Sequence, residues 1–395
     1  MAPHRALRRI YALEDFEPAA RRHLPRPVFG YVAGASETGA TLADNRRVFD
    51  EIGFLPRSLV DVSGRALDRR VLGRDCKLPF GIAPMGVSAL TAYRGDLVLA
   101  RAARRAGIPM VISGAGLIAL EEIAAANPDA WFQAYLPGDP DEVMALVDRV
   151  ARAGLDTFVV TVDCSVGPIP ENYLRAGYRT PIRPSLALLR DGITHPRWAL
   201  GTFLRTFARH GMPHFENGGP ARGAPLLSSR AARDFSGRER LDWALLHRIR
   251  ARWQGRLVLK GIIAPDDVTR ARTGGVDAVI LSNHGGRQLD GAVSPLRVLA
   301  AALAEAGDME VMIDSGFRRG TDILKALALG ARFVFVGRPF NYAAAIAGEA
   351  GVDHAIGLLR AQLRAALGML GLTRLDDLGP EALFLRDFRT LPVPG

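Results

Sequence analysis

Cysteine is scarce in this chain. Cys76 and Cys164 are its only two, too few for a disulfide scaffold or a Cys-based structural metal site, and no zinc-type cluster is present. A reducing, cytoplasmic setting is the default for such a composition. No apolar run reaches the roughly 18 residues that read as a membrane span, so no transmembrane helix is expected. The opening MAPHRALRRIYALEDF is basic but has no continuous apolar stretch, and it is not expected to act as a secretory signal. No Ser/Gly-rich linker divides the chain. Positive charge is not scarce: 51 Lys and Arg against 41 Asp and Glu give a net charge of +10. That excess suits nucleic acid, a membrane surface or an anionic ligand, and an Arg-prone genome alone produces it too.

With 48% hydrophobic and 23% charged residues over 395 positions, the chain is globular with a large core. That length accommodates two or three domains, or one (β/α)₈ barrel carrying insertions. The apolar pattern favours the barrel. From Phe80 onward the runs FGIAPM, PMVIS, WFQAYL, TFVVTVD, RLVLKG, AVILSNH, VMIDSG and FVFVGRP alternate with amphipathic stretches such as DEVMALVDRVARAG and TDILKALALG. Buried strands alternating with helices predict an α/β fold, a parallel sheet closed into a TIM barrel. We expect a single domain over 1–395, with a helical and hairpin-containing N-terminal segment at 1–75. A long insertion at 164–240 follows the fourth strand, of a length usually associated with function or mobility. A long helical pattern runs from Asn341 to Gly371.

A barrel of this kind places its site at the C-terminal ends of the strands. Those ends carry Pro84, Met85 and Gly86; Ser113; Gln133 and Tyr135; Thr161 and Asp163; Lys260; Ser282, His284 and Arg287; Asp314; Gly337 and Arg338. A barrel interior favours Val, Ile and Leu, so polar groups there call for a ligand or for each other. DSGFRRG after strand seven and VGRPF after strand eight offer backbone N–H groups at Gly316 and Gly337, with Arg318 and Arg338, to cradle one phosphate. The plainer alternative is tight turns with solvated arginines. His284 lies just past a strand end. Gly285 and Gly286 let the backbone pass close to a flat ligand and aim Arg287 into the mouth. An Arg fork matches a substrate carboxylate. Asp163 is placed to fix the tautomer of His284 and stabilise its imidazolium form. Lys260, inside the apolar LVLKG, is either catalytic or paired to a fixed charge. Near a reduced flavin it would stabilise negative charge; the competing role is a Schiff-base lysine. Lys, His, Asp and Arg converging on one mouth argue against a nucleic-acid-binding stripe.

These residues resemble the FMN-dependent 2-hydroxy acid dehydrogenases and oxidases, the family of glycolate oxidase, flavin-dependent lactate dehydrogenase and mandelate dehydrogenase. SNHGGRQLDG, then DSGFRRGTDILKALALGA, then VGRP carry the likeness, which spans about Leu24 to Leu378. The resemblance implies FMN as cofactor. It implies that Tyr31 and Arg287 bind the substrate carboxylate, that Tyr135 hydrogen-bonds the 2-hydroxyl, and that His284 accepts a proton with Asp163 in support. Pro84, Met85, Gly86, Ser113, Gln133, Thr161, Lys260 and Ser282 are implied to contact the ring system or ribityl chain. Asp314, Gly316, Arg318, Gly337 and Arg338 are implied to hold the ribityl and phosphate end. A homotetramer is also implied.

Three departures from the family pattern bear on substrate. Pro170 stands where the family carries an Arg after the strand-four Asp, which weakens carboxylate binding by about 1.5–3 kcal/mol unless Arg175 compensates. The loss also keeps open an unusual hydroxy or peptide substrate. Ala115 replaces a bulky aromatic of the glycolate oxidases, leaving room for a larger side chain, and the chain looks most like mandelate dehydrogenase. Gly86 stands where oxidases tend to carry Ala, which favours a dehydrogenase passing electrons to quinone or another acceptor over an oxidase using oxygen. Within the insertion, residues 185–215 mix Leu188, Leu189, Trp198, Leu200, Phe203, Leu204 and Phe207 with Arg190, Arg197, Arg205 and Arg209. A basic, apolar surface suits an anionic membrane interface, here the inner face of the cytoplasmic membrane. A lid or a subunit contact is the alternative.

Overall fold

The computed structural model describes residues 5–169, 171–178, 186–228 and 238–385, with side chains 187–189 outside that set. Eight strands form its central sheet: β1 (Phe80–Ile82), β2 (Val111–Ser113), β3 (Trp131–Ala134), β4 (Thr157–Thr161), β5 (Arg256–Ile262), β6 (Ala278–Leu281), β7 (Glu310–Ile313) and β8 (Phe333–Val336). Their order is β1-β8-β7-β6-β5-β4-β3-β2, and every pairing is parallel. A bridge between Ile82 and Met110 joins β1 to the start of β2, and Ile82 N–H donates to the Pro109 carbonyl at 2.9 Å. The ring is thereby nearly closed, and the helices surround it.

The helices start where local chemistry favours starting. Pro140, Pro265, Pro295 and Pro339 occupy first turns, where a missing N–H costs nothing. The Asp139 carboxylate accepts from Asp141 N–H, and that of Asp242 accepts from Leu245 N–H. In Pro140–Arg152, buried Val143, Leu146, Val147 and Val150 recur on one face and cover the sheet. Each such side chain contributes about 1.5–3 kcal/mol by leaving water.

The alternation of two along each strand positions the site. Val111, Trp131, Val159, Val258, Ile280, Met312, Phe333 and Phe335 share one cluster inside the barrel, while their strand neighbours pack outward against the helices. At the opposite end, the hairpin Arg69–Cys76 joins this cluster through Val71, Leu72 and Cys76, and Leu72 N–H donates to Glu310 at the start of β7. Two residues beyond the inward layer come Ser113, Gln133, Thr161, Lys260, Ser282 and Asp314, all buried and polar. The apolar floor and the polar mouth are consecutive layers of the same strand faces.

Between β4 and β5 the described insertion is mostly helical, with segments at Glu171–Ala176, Leu186–Thr194 and Pro196–His210. The final helical pattern differs from its sequence reading. The helix spans Arg338–Met369 but is interrupted at Ala347 (φ −147°) and Gly348 (φ +56°), where the backbone leaves helical geometry.

Candidate active site

A cavity of about 460 Å³ opens at the C-terminal ends of the strands. Tyr31, Pro84, Met85, Gly86, Ala115, Tyr135, Thr161, Lys260, His284, Arg287, Asp314, Gly316, Arg318, Gly337 and Arg338 line it. Asp163, Ser113, Gln133 and Ser282 stand behind this wall and hold it in place. The carboxylate of Asp163 lies 2.9 and 3.2 Å from His284 Nδ1. The Ser282 hydroxyl accepts from His284 N–H at 3.0 Å, and Lys260 Nζ donates to it at 2.8 Å. Gln133 Oε1 accepts from Gly114 N–H at 3.3 Å.

His284 is the hub. Its Nδ1 faces Asp163 and its Nε2 lies 3.2 Å from the Tyr135 hydroxyl. With Asp163 on the Nδ1 side, Nε2 is the ring nitrogen presented to Tyr135 and the cavity. Burial works to raise the pKa of Asp163. The charge and hydrogen bond of His284, aided by the Lys260 charge, outweigh that and hold it below the usual carboxylate range. Gly261, at a bulge in β5 and with φ +104°, makes this possible: a Cβ there would sit 2.7 Å from the side chain of Asp163.

The turn after β6 is left-handed for three residues, with φ +57° at His284, +65° at Gly285 and +75° at Gly286. Close approach to a flat ligand was the expected reason for these glycines. Gly285 does border the cavity, and packing adds a further constraint: a Cβ on Gly285 would lie 2.6 Å from Arg338 Nη1, and one on Gly286 2.7 Å from the backbone of Leu42. The backbone contact makes glycine necessary at position 286, whereas at 285 the Arg338 guanidinium would have to shift. Arg287 follows, donating to the Val32 carbonyl at 3.0 Å, with its guanidinium 4.9 Å from the ring centre of Tyr31 and 5.2 Å from that of Tyr173.

Lys260 is buried and paired to Asp314 at 2.9 Å. Burial alone would lower its pKa, but the charges of Asp314 and Asp163 raise it, so the ammonium form persists. This geometry carries the fixed-charge role and not that of a neutral Schiff-base amine.

At the opposite end of the cavity, Arg338 donates to the carbonyls of Val32, Gly285 and Gly34, and Arg318 donates to that of Phe317. Neither makes an ion pair with a carboxylate among the described residues. Burial, with neighbouring positive charge, pushes Arg338 down to about 10 and lowers Arg318 as well. Gly337 precedes the helix from Arg338, and the loop carrying Gly316 and Arg318 leads into the helix Gly320–Ala328. Two half-buried cations at helix starts fit a phosphate.

A flavin mononucleotide fits the rest of the cavity. The buried Gln133 Nε2 and Thr161 Oγ1 have no hydrogen-bond partner among the described residues. Burying such groups unpaired costs about 1–3 kcal/mol each, so a flat ring with a polar edge suits them.

Several residues of the site carry no local sequence signal. Tyr173 and Tyr178, from the insertion, pack their rings 5.8 and 4.7 Å from that of Tyr31. Cys164 Sγ lies 3.2 Å from Asp163 Oδ1 and accepts from Gln288 Nε2 at 2.8 Å. Arg238 and Phe215 line the cavity. Arg175, the sequence candidate for a second clamp, does not reach it: exposed, it pairs with Glu171 one helical turn away. Pro170 lies outside the described residues.

An end suited to a phosphate, unsatisfied polar groups at strand ends and a His–Asp pair beside a guanidinium match a flavin-dependent oxidoreductase site on a TIM barrel. The chain belongs to the FMN-dependent dehydrogenase family, whose model matches residues 20–385. It is 38% identical to the (S)-mandelate dehydrogenase of Pseudomonas putida over 375 residues, 95% of this chain and 94% of that protein. It is 36% identical to an L-lactate dehydrogenase of Stenotrophomonas maltophilia over 387 residues, 95% and 98% of the two chains. A crystal structure of the monotopic membrane protein (S)-mandelate dehydrogenase superposes with a TM-score of 0.86 at 36% identity, covering 96% of this chain and all of the other. The protein is therefore an FMN-dependent oxidoreductase acting on a CH–OH group of a small hydroxy acid.

Proposed function

We propose that the protein oxidises a mandelate- or lactate-like 2-hydroxy acid to the 2-oxo acid and passes the electrons to quinone or another non-oxygen acceptor. The observation that carries this reading is the chain Asp163–His284–Tyr135, closed at 2.9 and 3.2 Å. Bound FMN supplies the acceptor for the hydride released from the substrate's C2. His284 Nε2 takes the proton of the substrate hydroxyl, and Asp163 stabilises the resulting imidazolium. Tyr135 orients the hydroxyl oxygen. Tyr31 and Arg287 hold the carboxylate, and Lys260 keeps a fixed positive charge at the end of β5. Gln133 and Thr161 present the polar groups that meet the ring edge; Arg318 and Arg338 hold the phosphate. Ala115, small and on the cavity wall, favours a substrate with a larger side chain, such as a mandelate-like acid.

Among the described residues no helix is long and apolar enough to cross a membrane. Leu186, Ile193, Leu200, Leu204 and Phe207 are exposed beside Arg190, Arg197 and Arg209. This face supports peripheral attachment to an anionic membrane, where a quinone would be met. Assembly as a homotetramer belongs to the same reading.

The test is anaerobic mixing of the yellow holoenzyme with a panel of 2-hydroxy acids while flavin absorbance is followed. Mandelate or a lactate-like acid should bleach the flavin, and His284→Ala should keep FMN but lose bleaching by at least about 10³-fold. Failure of mandelate, lactate, longer-chain acids and glycolate alike would remove the substrate assignment. Near-normal bleaching by His284→Ala would remove its role as base.

A further inference from the structure

Four guanidinium groups line the cavity: Arg238, Arg287, Arg318 and Arg338. Arg318 and Arg338 belong to the phosphate end, and Arg287 lies against Tyr31 and Tyr173. Arg238 comes from elsewhere in the chain. It opens the short turn Arg238–Arg240, which leads into the helix Trp243–Arg252 capped by Asp242. Its guanidinium carbon is 5.7 Å from the ring centre of Tyr135. Its charge also reaches Cys164, beside Asp163, where it opposes the rise in thiol pKa caused by burial and by Asp163. Arg238 therefore flanks the Tyr135 side of His284, whereas Arg287 flanks the Tyr31 side.

In a 2-hydroxy acid the carboxylate is bonded to the carbon that bears the hydroxyl. A group poised over the residue that holds the hydroxyl is therefore within a side chain's reach of the carboxylate as well. A guanidinium offers a planar fork matching two carboxylate oxygens, and its own charge does not titrate away. The cavity supplies Arg238 with Tyr135 on one side and Arg287 with Tyr31 on the other.

We propose that Arg238 is a second carboxylate-binding residue, closing on the substrate from the Tyr135 side while Arg287 holds it from the Tyr31 side. This rests on the reading of the site as one for 2-hydroxy acids. It assigns discrimination for acids over neutral analogues to the end of the insertion, about 75 residues beyond its start at Asp163.

The experiment is a binding titration of FMN-loaded protein, read by perturbation of the flavin spectrum. Phenylacetate is the charged probe, and phenylacetamide is its neutral counterpart; neither has a hydroxyl to oxidise. Arg238→Gln should weaken phenylacetate about 10- to 100-fold and leave phenylacetamide within about twofold. Arg238→Lys should recover part of the loss, since it restores the charge without the fork. Equal weakening of acid and amide, or no change in either, would overturn the proposal, as would a wild-type flavin that phenylacetate does not perturb. If the acid–amide contrast holds but no 2-hydroxy acid bleaches the flavin, the reaction proposed above fails and the role of Arg238 stands. If 2-hydroxy acids reduce Arg238→Gln with unchanged KM, only the role of Arg238 fails.

Discussion

Gly86 is enclosed by two groups of the site. A Cβ added there would lie 2.9 Å from the Tyr31 hydroxyl and 3.0 Å from the Cβ of Ala115. Tyr31 has little room to retreat, since the rings of Tyr173 and Tyr178 pack against it. Gly86→Ala should therefore displace the tyrosine hydroxyl by a few tenths of an ångström. The expected result is retained FMN with KM for the hydroxy acid raised about fivefold, the equivalent of about 1 kcal/mol of lost binding. Steady-state kinetics with an artificial acceptor measure this; an unchanged KM would place the carboxylate away from Tyr31. At this scale the sequence was legible where strand periodicity delivers a residue to the mouth, as with Lys260, Gln133 and Asp314. It was not legible where a residue arrives from a loop. Arg238 is one arginine in the run RDFSGRERLDW, and nothing in that run's pattern distinguishes the arginine that faces Tyr135. Cys164 and Tyr173 are silent for the same reason.

Among the elements, the helix Gly95–Ala106 carries a buried carboxyl. Asp96 is 2% exposed, and burial pushes its pKa up to about 7, although backbone hydrogen bonds from Asp96 and Ala89 and the Arg94 charge pull the other way. An acid whose folded pKa is raised contributes stability that is fully present below the ordinary carboxyl range. That contribution is lost as pH rises through about 7. Between pH 5 and pH 7 the loss is about 2 kcal/mol. Asp96→Asn cannot ionise, so its melting temperature should fall less than that of the wild type between pH 5 and pH 8. Parallel melting curves across that range, followed by circular dichroism, would refute the assignment. The eight strands themselves were legible, because runs such as TFVVTVD and RLVLKG are apolar on both faces, as a covered parallel sheet requires. The interruption at Ala347 and Gly348 was not, since the helical pattern continues across it.

For the whole molecule, the +10 charge and the exposed apolar residues of the insertion act together. Trp198 does not belong to that exposed face, as its sequence context suggested. It is buried, donates to the Leu90 carbonyl at 2.8 Å and stacks on Phe203. This anchors the segment to the barrel, so removing residues 185–215 would disturb the fold as well as the surface. Leu200→Glu with Phe207→Glu is the cleaner change. Those variants should stay in the supernatant when sedimented with phosphatidylglycerol-containing liposomes that carry down the wild type, while flavin content stays equal. Equal sedimentation would assign the face to a different contact.

The left-handed turn at His284, Gly285 and Gly286 has a consequence for engineering. A His–Arg pair grafted onto another barrel would not reproduce this centre by side-chain placement alone. Its spacing is set by a left-handed backbone in which Gly286 lies against the backbone of Leu42 and Gly285 against the Arg338 guanidinium. The transplantable unit is the turn together with the two neighbours that demand it, and a design that copies the side chains without their backbone would deliver Arg287 to the wrong face.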